Sequence, residues 1–309
     1  MKLLICDKTD AKAIAVMREA GIEVDEKVGL TPDELLATVP DYEAMVVRSA
    51  TKVTAAVIDA AVNLKLIVRG GVGLDNIDLG YAKSKGVVVH NTPRASSDSV
   101  AELTIGYLLA LARKIPQATA SMRAGEWQKK QLKGTEIQGK TLGLIGFGNI
   151  GQAVGRRAHV LGMRILFYRR TPTEVEYARQ VGLDTLLAES DYISLHVPLT
   201  EETANIIDAA AIAKMKDGVY IVNCGRGGTL DEDALYDGLK KGKVAGAALD
   251  VYADEKTVKG NPRLFELRDE HGFGLVIGSP HIGAATIEGQ QRVGEEVVQI
   301  AIDFQTSGG

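Results

Sequence analysis

The stretch that most constrains the fold of this chain is KTLGLIGFGNIGQAVGRRAHVLGMRILFY, residues 140–168. Its apolar run Leu142–Ile145 predicts a short strand buried in a parallel sheet, and a second such run follows at Arg164–Tyr168. Between the two runs, the pattern from about Ile150 to Leu161 predicts a helix. The turn that joins the first strand to this helix has the spacing GxGxxG, with its glycines at Gly146, Gly148 and Gly151.

Each glycine of this turn has a physical purpose in a dinucleotide site. The first allows a tight turn, the second lets main-chain N–H groups approach a pyrophosphate, and the third lets the helix pack closely on the strand. The N-terminus of the following helix directs its positive dipole and unpaired N–H groups at the same anion. A plain strand-to-helix turn is the alternative, but the strand before, the helix after and the second strand beyond favour a nucleotide site.

The residues after the second strand bear on the choice between NAD and NADP. An acidic side chain in this place binds the ribose 2′-hydroxyl of NAD and repels a 2′-phosphate. Tyr168 is instead followed by Arg169, Arg170 and Thr171, whose guanidinium and hydroxyl groups suit a phosphate. The sequence therefore favours NADP, with NAD retained as the alternative if the arginines are solvated surface charges.

Length and composition limit the remaining possibilities. A chain of 309 residues is long enough for two domains with separate cores. A net charge of −4, with no long basic block and no apolar run of spanning length, argues against a nucleic-acid or membrane partner. Cys6 and Cys224 lie far apart without a CxxC motif, so no disulfide and no metal site is predicted, and a cytoplasmic location is expected.

The first ninety residues alternate short apolar runs with helical patterns, which indicates a parallel sheet covered by helices. The predicted strands are Leu3–Cys6, Ala44–Val47, Leu64–Val68 and Val87–His90. The predicted helices are Ala11–Ala20, Pro32–Val39, Ala55–Ala61 and Leu79–Lys85.

Two loops at predicted strand ends are candidate substrate sites, because ligands of open α/β sheets bind beyond the carboxyl ends of the strands. Their arginines can bind an anion, and their glycine-rich backbone can offer N–H groups to a carboxylate. Structural turns with exposed arginines are the alternative. The candidate substrate residues are Arg48, Ser49, Arg69, Gly71, Val72 and Gly73.

Residues 114–139 form a polar segment that is predicted to be irregular and that holds Trp127, the only tryptophan. A loop of this length inside a compact domain needs a purpose. It is interpreted as an arm that grips a second subunit in a homodimer, with Trp127 as its anchor. A loop packed on its own domain is the alternative.

Four further predicted strands, 192–198, 219–223, 245–251 and 276–281, each end in polar residues. These ends meet at one sheet edge, where the cofactor is expected, so His196, Val197 and Pro198 are candidate cofactor contacts. Arg226, Glu255 and His281 at the same edge suit hydride exchange between a nicotinamide and a 2-hydroxy acid. Arg226 would hold the carboxylate, His281 would exchange the proton, and Glu255 would keep the imidazole cationic. Taken singly, a structural histidine and a surface glutamate are the alternatives.

The motifs GFGNIG, NCGRGG, ALDVYADE and SPHIGAAT give the chain a resemblance to the D-2-hydroxyacid dehydrogenase family over nearly its whole length. The stretches VRSATKVT, RGGVGLDNID and IPQATASMRAGEWQKKQLKGTEIQGKTLG resemble the branch of the family that acts on 3-phosphoglycerate. The resemblance implies an α/β fold of two doubly wound parallel-sheet domains. Residues 1–95 and 287–309 would form a flavodoxin-like substrate domain, and residues 96–286 a Rossmann nucleotide-binding domain.

The resemblance also implies site residues and an activity. It assigns catalytic roles to Arg226, Glu255 and His281, and cofactor contacts to Val72, Asn149, Ile150, Val197, Cys224, Gly225, Asp250, Gly283 and Ala284. The implied reaction is oxidation of 3-phosphoglycerate at C2 to 3-phosphohydroxypyruvate in serine biosynthesis. An NADPH-dependent hydroxypyruvate or glyoxylate reductase is the enzymatic alternative, and a dinucleotide-sensing corepressor is an alternative of another class.

Three features depart from the family pattern. Arg169 occupies the place where NAD-using members carry aspartate. Lys256 replaces the proline that usually follows the catalytic glutamate. The chain ends soon after its last helix, where many phosphoglycerate dehydrogenases add a serine-sensing domain, so feedback through such a domain is not expected.

Overall fold

The computed structural model describes residues 1–255 and 262–307, which divide into two compact units. Unit 1 comprises residues 1–97 and 284–309, and unit 2 comprises residues 98–283. The sequence places the corresponding divisions at 95/96 and 286/287. Within the described residues the strands are β1 (Lys2–Ile5), β2 (Glu23–Glu26), β3 (Ala44–Val47), β4 (Leu66–Arg69), β5 (Val88–Asn91), β6 (Thr141–Ile145), β7 (Arg164–Tyr168), β8 (Ala178–Gln180), β9 (Tyr192–Leu195), β10 (Val219–Asn223), β11 (Val244–Leu249) and β12 (Val276–Gly278).

The helices connect and cover these strands. They are α1 (Ala11–Glu19), α2 (Pro32–Thr38), α3 (Ala55–Ala60), α4 (Leu79–Ser84), α5 (Ser97–Arg113), α6 (Ile115–Arg123), α7 (Asn149–Val160), α8 (Leu183–Glu189), α9 (Ala209–Lys214), α10 (Glu232–Lys240), α11 (Pro262–Glu266) and α12 (Ile287–Thr306).

Unit 1 is built on a five-stranded parallel sheet with the order β2-β1-β3-β4-β5, which is the flavodoxin-like order. Every residue of β3 is buried, as expected for a parallel strand with helices on both faces. The C-terminal helix α12 begins at the cap Thr286, whose hydroxyl accepts from the N–H of Gly289. Its buried stripe includes Val293, Val297 and Ala301, and it packs in the same core as α1.

Unit 2 is built on a seven-stranded parallel sheet with the order β12-β11-β10-β9-β6-β7-β8. Strands β6, β7 and β8 lie on one side of β9, and β10, β11 and β12 lie on the other, which is the Rossmann arrangement. The order reverses between β6 and β9, and ligands of such sheets bind at this switch point. The predicted fold class, two doubly wound parallel-sheet domains, is therefore confirmed.

Three local predictions were wrong. Residues 114–139 are not irregular throughout, because α6 occupies Ile115–Arg123. Its apolar signal is weak since only Ser121 of this helix is buried, although Pro116 at its start favours a helix. Strands β2 and β8 were missed, and both are sheet edges of mainly polar sequence whose pairing is decided by tertiary contacts.

Candidate active site

The glycine turn has the geometry of a dinucleotide site. Gly146 adopts φ +96°, and a Cβ there would lie 2.6 Å from the carbonyl oxygen of His196. A Cβ on Gly151 would overlap the carbonyl oxygen of Gly146, so α7 approaches β6 as closely as the backbones permit. Around Gly148, in contrast, a Cβ would meet no described atom within 4 Å. The two outer glycines are required by the fold, whereas the middle one borders open space at the α7 N-terminus, and a helix N-terminus is where dinucleotide sites bind a pyrophosphate.

The carboxyl ends of the strands in unit 2 align in one row. The parallel register pairs Tyr168 with Ile145, Ile145 with Leu195, Leu195 with Asn223, Asn223 with Leu249, and Leu249 with Gly278. The loops after these residues hold the candidate cofactor residues of unit 2 and the three candidate catalytic residues. Val72 and Ala284, two further candidate cofactor contacts, belong to unit 1.

The arginines after β7 differ in their surroundings. Arg169 is half-buried, and its guanidinium donates to the carbonyl oxygen of Phe147, inside the glycine turn, at 3.2 Å. Gln180 supports the same segment, since its side-chain amide donates to the Arg169 carbonyl oxygen at 2.9 Å. Arg170 and Thr171 are exposed. The Arg169 side chain is thus tied to the glycine turn at the place where the sequence predicts the adenosine ribose.

His196 continues from β9 beside the glycine turn. Its Nε2 lies 2.9 Å from the Ser194 hydroxyl, and Nδ1 is buried with no hydrogen-bond partner among the described residues. Burial lowers the pKa of His196 to about 4, so its ring is neutral at physiological pH. A neutral ring suits a position next to a cofactor better than a proton-exchange role at neutral pH.

The structure brings the candidate catalytic residues of unit 2 together. Nδ1 of His281 lies 2.9 Å from Oε2 of Glu255, and both side chains are about two-fifths exposed, at 44% and 40%. The hydrogen bond with His281 lowers the pKa of the Glu255 carboxyl, and the positive charge of Arg226 contributes to the same shift. The Arg226 guanidinium donates to the Gly225 carbonyl oxygen at 2.8 Å. The cluster combines an imidazole, a carboxylate and a guanidinium at one place, which is the set of groups that proton exchange with a carbonyl oxygen requires.

The Arg226 loop is shaped by its own turn. The amide of Asn223 donates to the Arg226 carbonyl oxygen at 3.1 Å, and the Thr229 hydroxyl donates to the same oxygen at 2.7 Å. A Cβ on Gly227 would overlap the carbonyl oxygen of Tyr252, which explains the glycine after the arginine. Lys256, which follows Glu255 in the sequence, lies outside the described residues.

In unit 1, the loop after β3 is fastened by a buried carboxylate that sequence reasoning missed. Asp7 accepts hydrogen bonds from the main-chain N–H groups of Arg48 and Thr51 and from the Thr51 hydroxyl. The side-chain amide of Asn76 donates to the carbonyl oxygens of Arg48 and Thr51, at 2.7 and 2.6 Å. Burial lowers the pKa of the Arg48 guanidinium, and the Asp7 charge opposes that shift. Ser49, between these fixed points, is exposed.

The glycine-rich loop after β4 lies against the guanidinium of Arg69, the second candidate arginine. Gly71 adopts φ +141°, and a Cβ there would overlap Nη1 of Arg69, so only glycine lets this guanidinium lie across the turn. The Asn91 side chain donates to the Val72 carbonyl oxygen at 2.6 Å and so ties this loop to the end of β5. Gly73 follows in the same loop.

Two general features complete the description. Cys6 and Cys224 are free thiols, and both are buried. None of the helices within residues 1–255 and 262–307 combines the length and the apolar character that crossing a membrane requires.

Comparison with known proteins agrees with this geometry. Residues 105–283 match the family model of the D-isomer specific 2-hydroxyacid dehydrogenase NAD binding domain. The chain is 52% identical to hydroxypyruvate reductase of Thermotoga maritima, over 95% of this chain and 94% of that relative. It is 47% identical to D-3-phosphoglycerate dehydrogenase of Archaeoglobus fulgidus, where the match covers 97% of this chain and 57% of the relative's length. The crystal structure of Aquifex aeolicus D-lactate dehydrogenase with NAD and lactic acid superimposes with a TM-score of 0.85 at 32% identity, covering 99% and 96% of the two chains.

The fold and the nucleotide site together define a nicotinamide-dependent oxidoreductase. More particularly, the chain belongs to the D-2-hydroxyacid dehydrogenase family and lies close to its phosphoglycerate dehydrogenases.

Proposed function

We propose that this enzyme transfers a hydride between a nicotinamide cofactor and C2 of 3-phosphoglycerate, which yields 3-phosphohydroxypyruvate in the oxidative direction. The observation that carries the proposal is the pairing of His281 with Glu255 at 2.9 Å, beside Arg226, at the carboxyl edge of the nucleotide-binding sheet. The family relationship supports a 2-hydroxy acid as the substrate class.

Each member of the catalytic trio has a defined role in this proposal. A nicotinamide bound at this sheet edge would supply the hydride in reduction and accept it in oxidation. Arg226 binds the carboxylate of the acid and polarises the C2 oxygen, because a guanidinium can bind two oxygens at once. Nε2 of His281 removes the hydroxyl proton during oxidation and returns it during reduction. Glu255 orients the imidazole through Nδ1 and stabilises its charged form.

We assign the adenosine end of the cofactor to the corner formed by Arg169, Arg170 and Thr171, and we propose a preference for NADP over NAD. The support is the absence of a carboxylate from these three positions and the attachment of Arg169 to the glycine turn. Asn149 and Ile150 at the start of α7 would offer N–H groups to the pyrophosphate. His196, Val197, Pro198, Cys224, Gly225, Asp250 and Gly283 line the same sheet edge and are proposed cofactor contacts, together with Val72 and Ala284 of unit 1.

We assign the substrate phosphate to unit 1 and propose that Arg48 and Arg69 bind it, with Ser49 and the N–H groups of residues 71–73 as further donors. Hydrogen bonds with Asp7 and Asn76 fix the backbone around Arg48, so the main chain that carries its guanidinium is held in place. The similarity to phosphoglycerate dehydrogenases supports a phosphorylated substrate and a role in serine biosynthesis.

A second candidate function is an NADPH-dependent hydroxypyruvate or glyoxylate reductase. It is favoured by the 52% identity to a hydroxypyruvate reductase that matches over 94% of its length, whereas the phosphoglycerate dehydrogenase from Archaeoglobus fulgidus is matched over 57%. The same trio would serve this reaction, with protonated His281 as the acid.

Initial rates decide between the two candidates. We would measure kcat/KM for 3-phosphoglycerate oxidation and for 3-phosphohydroxypyruvate, hydroxypyruvate and glyoxylate reduction, each with NAD(H) and NADP(H). A higher kcat/KM for 3-phosphohydroxypyruvate than for hydroxypyruvate in the reductive direction is expected from a phosphate site. Equal or lower values for the phosphorylated acid would replace the first candidate by the second, and no turnover of any of these acids would refute both.

We further propose a cytoplasmic homodimer. The two free, buried thiols suit a reducing compartment. Trp127 is 79% exposed within the chain, and a partner subunit would remove this large apolar surface from water. Trp127→Ala is expected to raise the dimer dissociation constant in sedimentation equilibrium. A parent protein that sediments as a monomer at micromolar concentration would contradict the dimer.

A further inference from the structure

The turn of residues 279–283, which carries His281, has a main-chain conformation that needs support. His281 adopts φ +54°, in the left-handed region that non-glycine residues rarely enter. Such a conformation persists only where surrounding interactions fix it. The main-chain N–H of His281 donates to the carbonyl oxygen of Asp250 at 2.9 Å, which is the first of these interactions.

The carboxylate of Asp250 provides the main anchor. Asp250 is 1% exposed, and it accepts from the N–H of Ile282 and the N–H of Gly283, both at 2.8 Å. The Ser279 hydroxyl donates to the same carboxylate. A buried carboxylate is stable only when donors surround it, and here three donors come from the turn itself. The position of the His281 backbone is therefore coupled to Asp250.

A buried tyrosine from α5 completes the chain of hydrogen bonds. The Tyr107 phenol contacts the Ser279 hydroxyl oxygen, and Tyr107 is 8% exposed. Because the Ser279 proton is directed to Asp250, Tyr107 must be the donor to Ser279. Burial raises the pKa of the Tyr107 phenol, so it keeps this proton at physiological pH.

We propose that Tyr107 and Ser279 are positioning residues, whose hydroxyl groups hold the His281 turn through Asp250 so that the imidazole meets Glu255. The proposal rests on the proton-exchange role of His281 under the proposed function. The two hydroxyl groups contact each other, and the Ser279 hydroxyl contacts Asp250. Their contribution is the orientation of the proton donor, which is needed for the chemical step.

The test compares Ser279→Ala and Tyr107→Phe with the conservative variant Ser279→Thr. The matched control is Tyr192→Phe, which removes another buried phenol hydroxyl of unit 2, one that lies 3.4 Å from Thr135 and away from the turn. Two quantities are measured on the full chain: kcat and KM with the preferred substrate, and the amide hydrogen exchange of Ile282 and Gly283.

We expect Ser279→Ala to lower kcat by about tenfold and Tyr107→Phe by about threefold, since Ser279→Ala removes both hydrogen bonds of the Ser279 hydroxyl and Tyr107→Phe removes one of them. The fall in kcat should exceed any change in the KM for the cofactor, Ser279→Thr should retain most of the activity, and Tyr192→Phe should match the parent. Exchange of the Ile282 and Gly283 amides should be faster in Ser279→Ala and Tyr107→Phe only.

Parent values of kcat in Tyr107→Phe and Ser279→Ala would overturn the positioning role, whether or not amide exchange changes. Unaltered exchange in both variants would overturn the hydrogen-bond chain itself. A parent enzyme without 2-hydroxy acid turnover would instead refute the proposed function, and the exchange measurements would then still decide whether the two hydroxyl groups hold the turn.

Discussion

The two parallel sheets of this protein build their proposed anion sites by different means. In unit 2 the glycine turn is built from backbone. A Cβ added at Gly146 or Gly151 would lie closer than van der Waals distance to a main-chain oxygen, so both positions require glycine. In unit 1 the loops after β3 and β4 depend on side chains: the Asp7 carboxylate accepts from the main-chain N–H of Arg48, and the Arg69 guanidinium lies across Gly71. A backbone site has a recognisable glycine spacing, whereas a side-chain site depends on partners that are distant in sequence.

This difference also separates recognition of the cofactor's common part from recognition of its variable part. The pyrophosphate would meet main-chain N–H groups at α7, and these cannot distinguish NAD from NADP. In our proposal the side chains after β7 make the distinction, and of these Arg169 is tied to the turn and Arg170 is exposed. Substitutions in backbone sites should therefore abolish function, while substitutions in side-chain sites should change specificity.

The largest effect is expected from Gly151→Ala. Its Cβ would overlap the Gly146 carbonyl oxygen, so α7 must move away from the turn. We predict that cofactor affinity falls by about 100-fold or more, because several N–H contacts to the pyrophosphate depend on that geometry. The measurement is cofactor titration by fluorescence, with Gly182→Ala as the control, since a Cβ there would meet no described atom within 4 Å. Parent affinity in Gly151→Ala would show that the turn does not hold the cofactor.

Arg48→Gln tests the side-chain site of unit 1. It removes a charge from the proposed phosphate site, and hydrogen bonds to charged groups contribute about 1.5 to 3 kcal/mol. We predict a loss in kcat/KM for the phosphorylated acid of roughly 10- to 100-fold, with a smaller loss for hydroxypyruvate. Arg18→Gln is the matched control, because Arg18 lies in the same unit and pairs with Glu26 at 3.3 Å. Equal losses for both acids would place the phosphate elsewhere.

Arg169→Asp tests the cofactor corner. The parent is predicted to have a larger kcat/KM with NADP(H) than with NAD(H), and the variant should reverse that order by binding the ribose diol and repelling a 2′-phosphate. One charge-assisted contact changes the ratio by about tenfold. Added salt should weaken NADP binding more than NAD binding, since screening acts on the extra charge. A parent that prefers NAD(H) at moderate ionic strength would make both arginines surface charges.

The smallest effect is expected from Glu255→Gln, which keeps the shape of the contact with His281 and removes its charge. The pKa of Glu255 is lowered by this contact, so the carboxylate is ionised near neutral pH. Ketone reduction needs a proton on His281, and a neighbouring negative charge stabilises a protonated imidazole. Loss of the charge should therefore move the high-pH limb of the reduction profile to lower pH. A profile that overlays the parent's would show that Glu255 does not tune the imidazole.

Much of this architecture could be predicted from local sequence. The apolar runs that became β3 and β10 have the predicted bounds, because strands buried on both faces are continuous apolar segments. The edge strands β2 and β8 could not be found in this way, since Glu23–Glu26 and Ala178–Gln180 are mainly polar and acquire strand geometry from their neighbours. Helix α6 was missed for a related reason, because most of its residues remain exposed.

The sequence by itself determined the fold class and the glycine turn, because both follow from residue types at short, regular spacing. It also indicated Arg226, Glu255 and His281 as candidates, but only the tertiary structure placed His281 against Glu255 at 2.9 Å. Only the fold brings together the residues that hold the Arg48 loop and the His281 turn. Asp7 meets Thr51, and Tyr107 meets Ser279, across separations of 44 and 172 residues. No local pattern encodes such a pair, since each hydrogen bond exists only after the sheets and helices have packed.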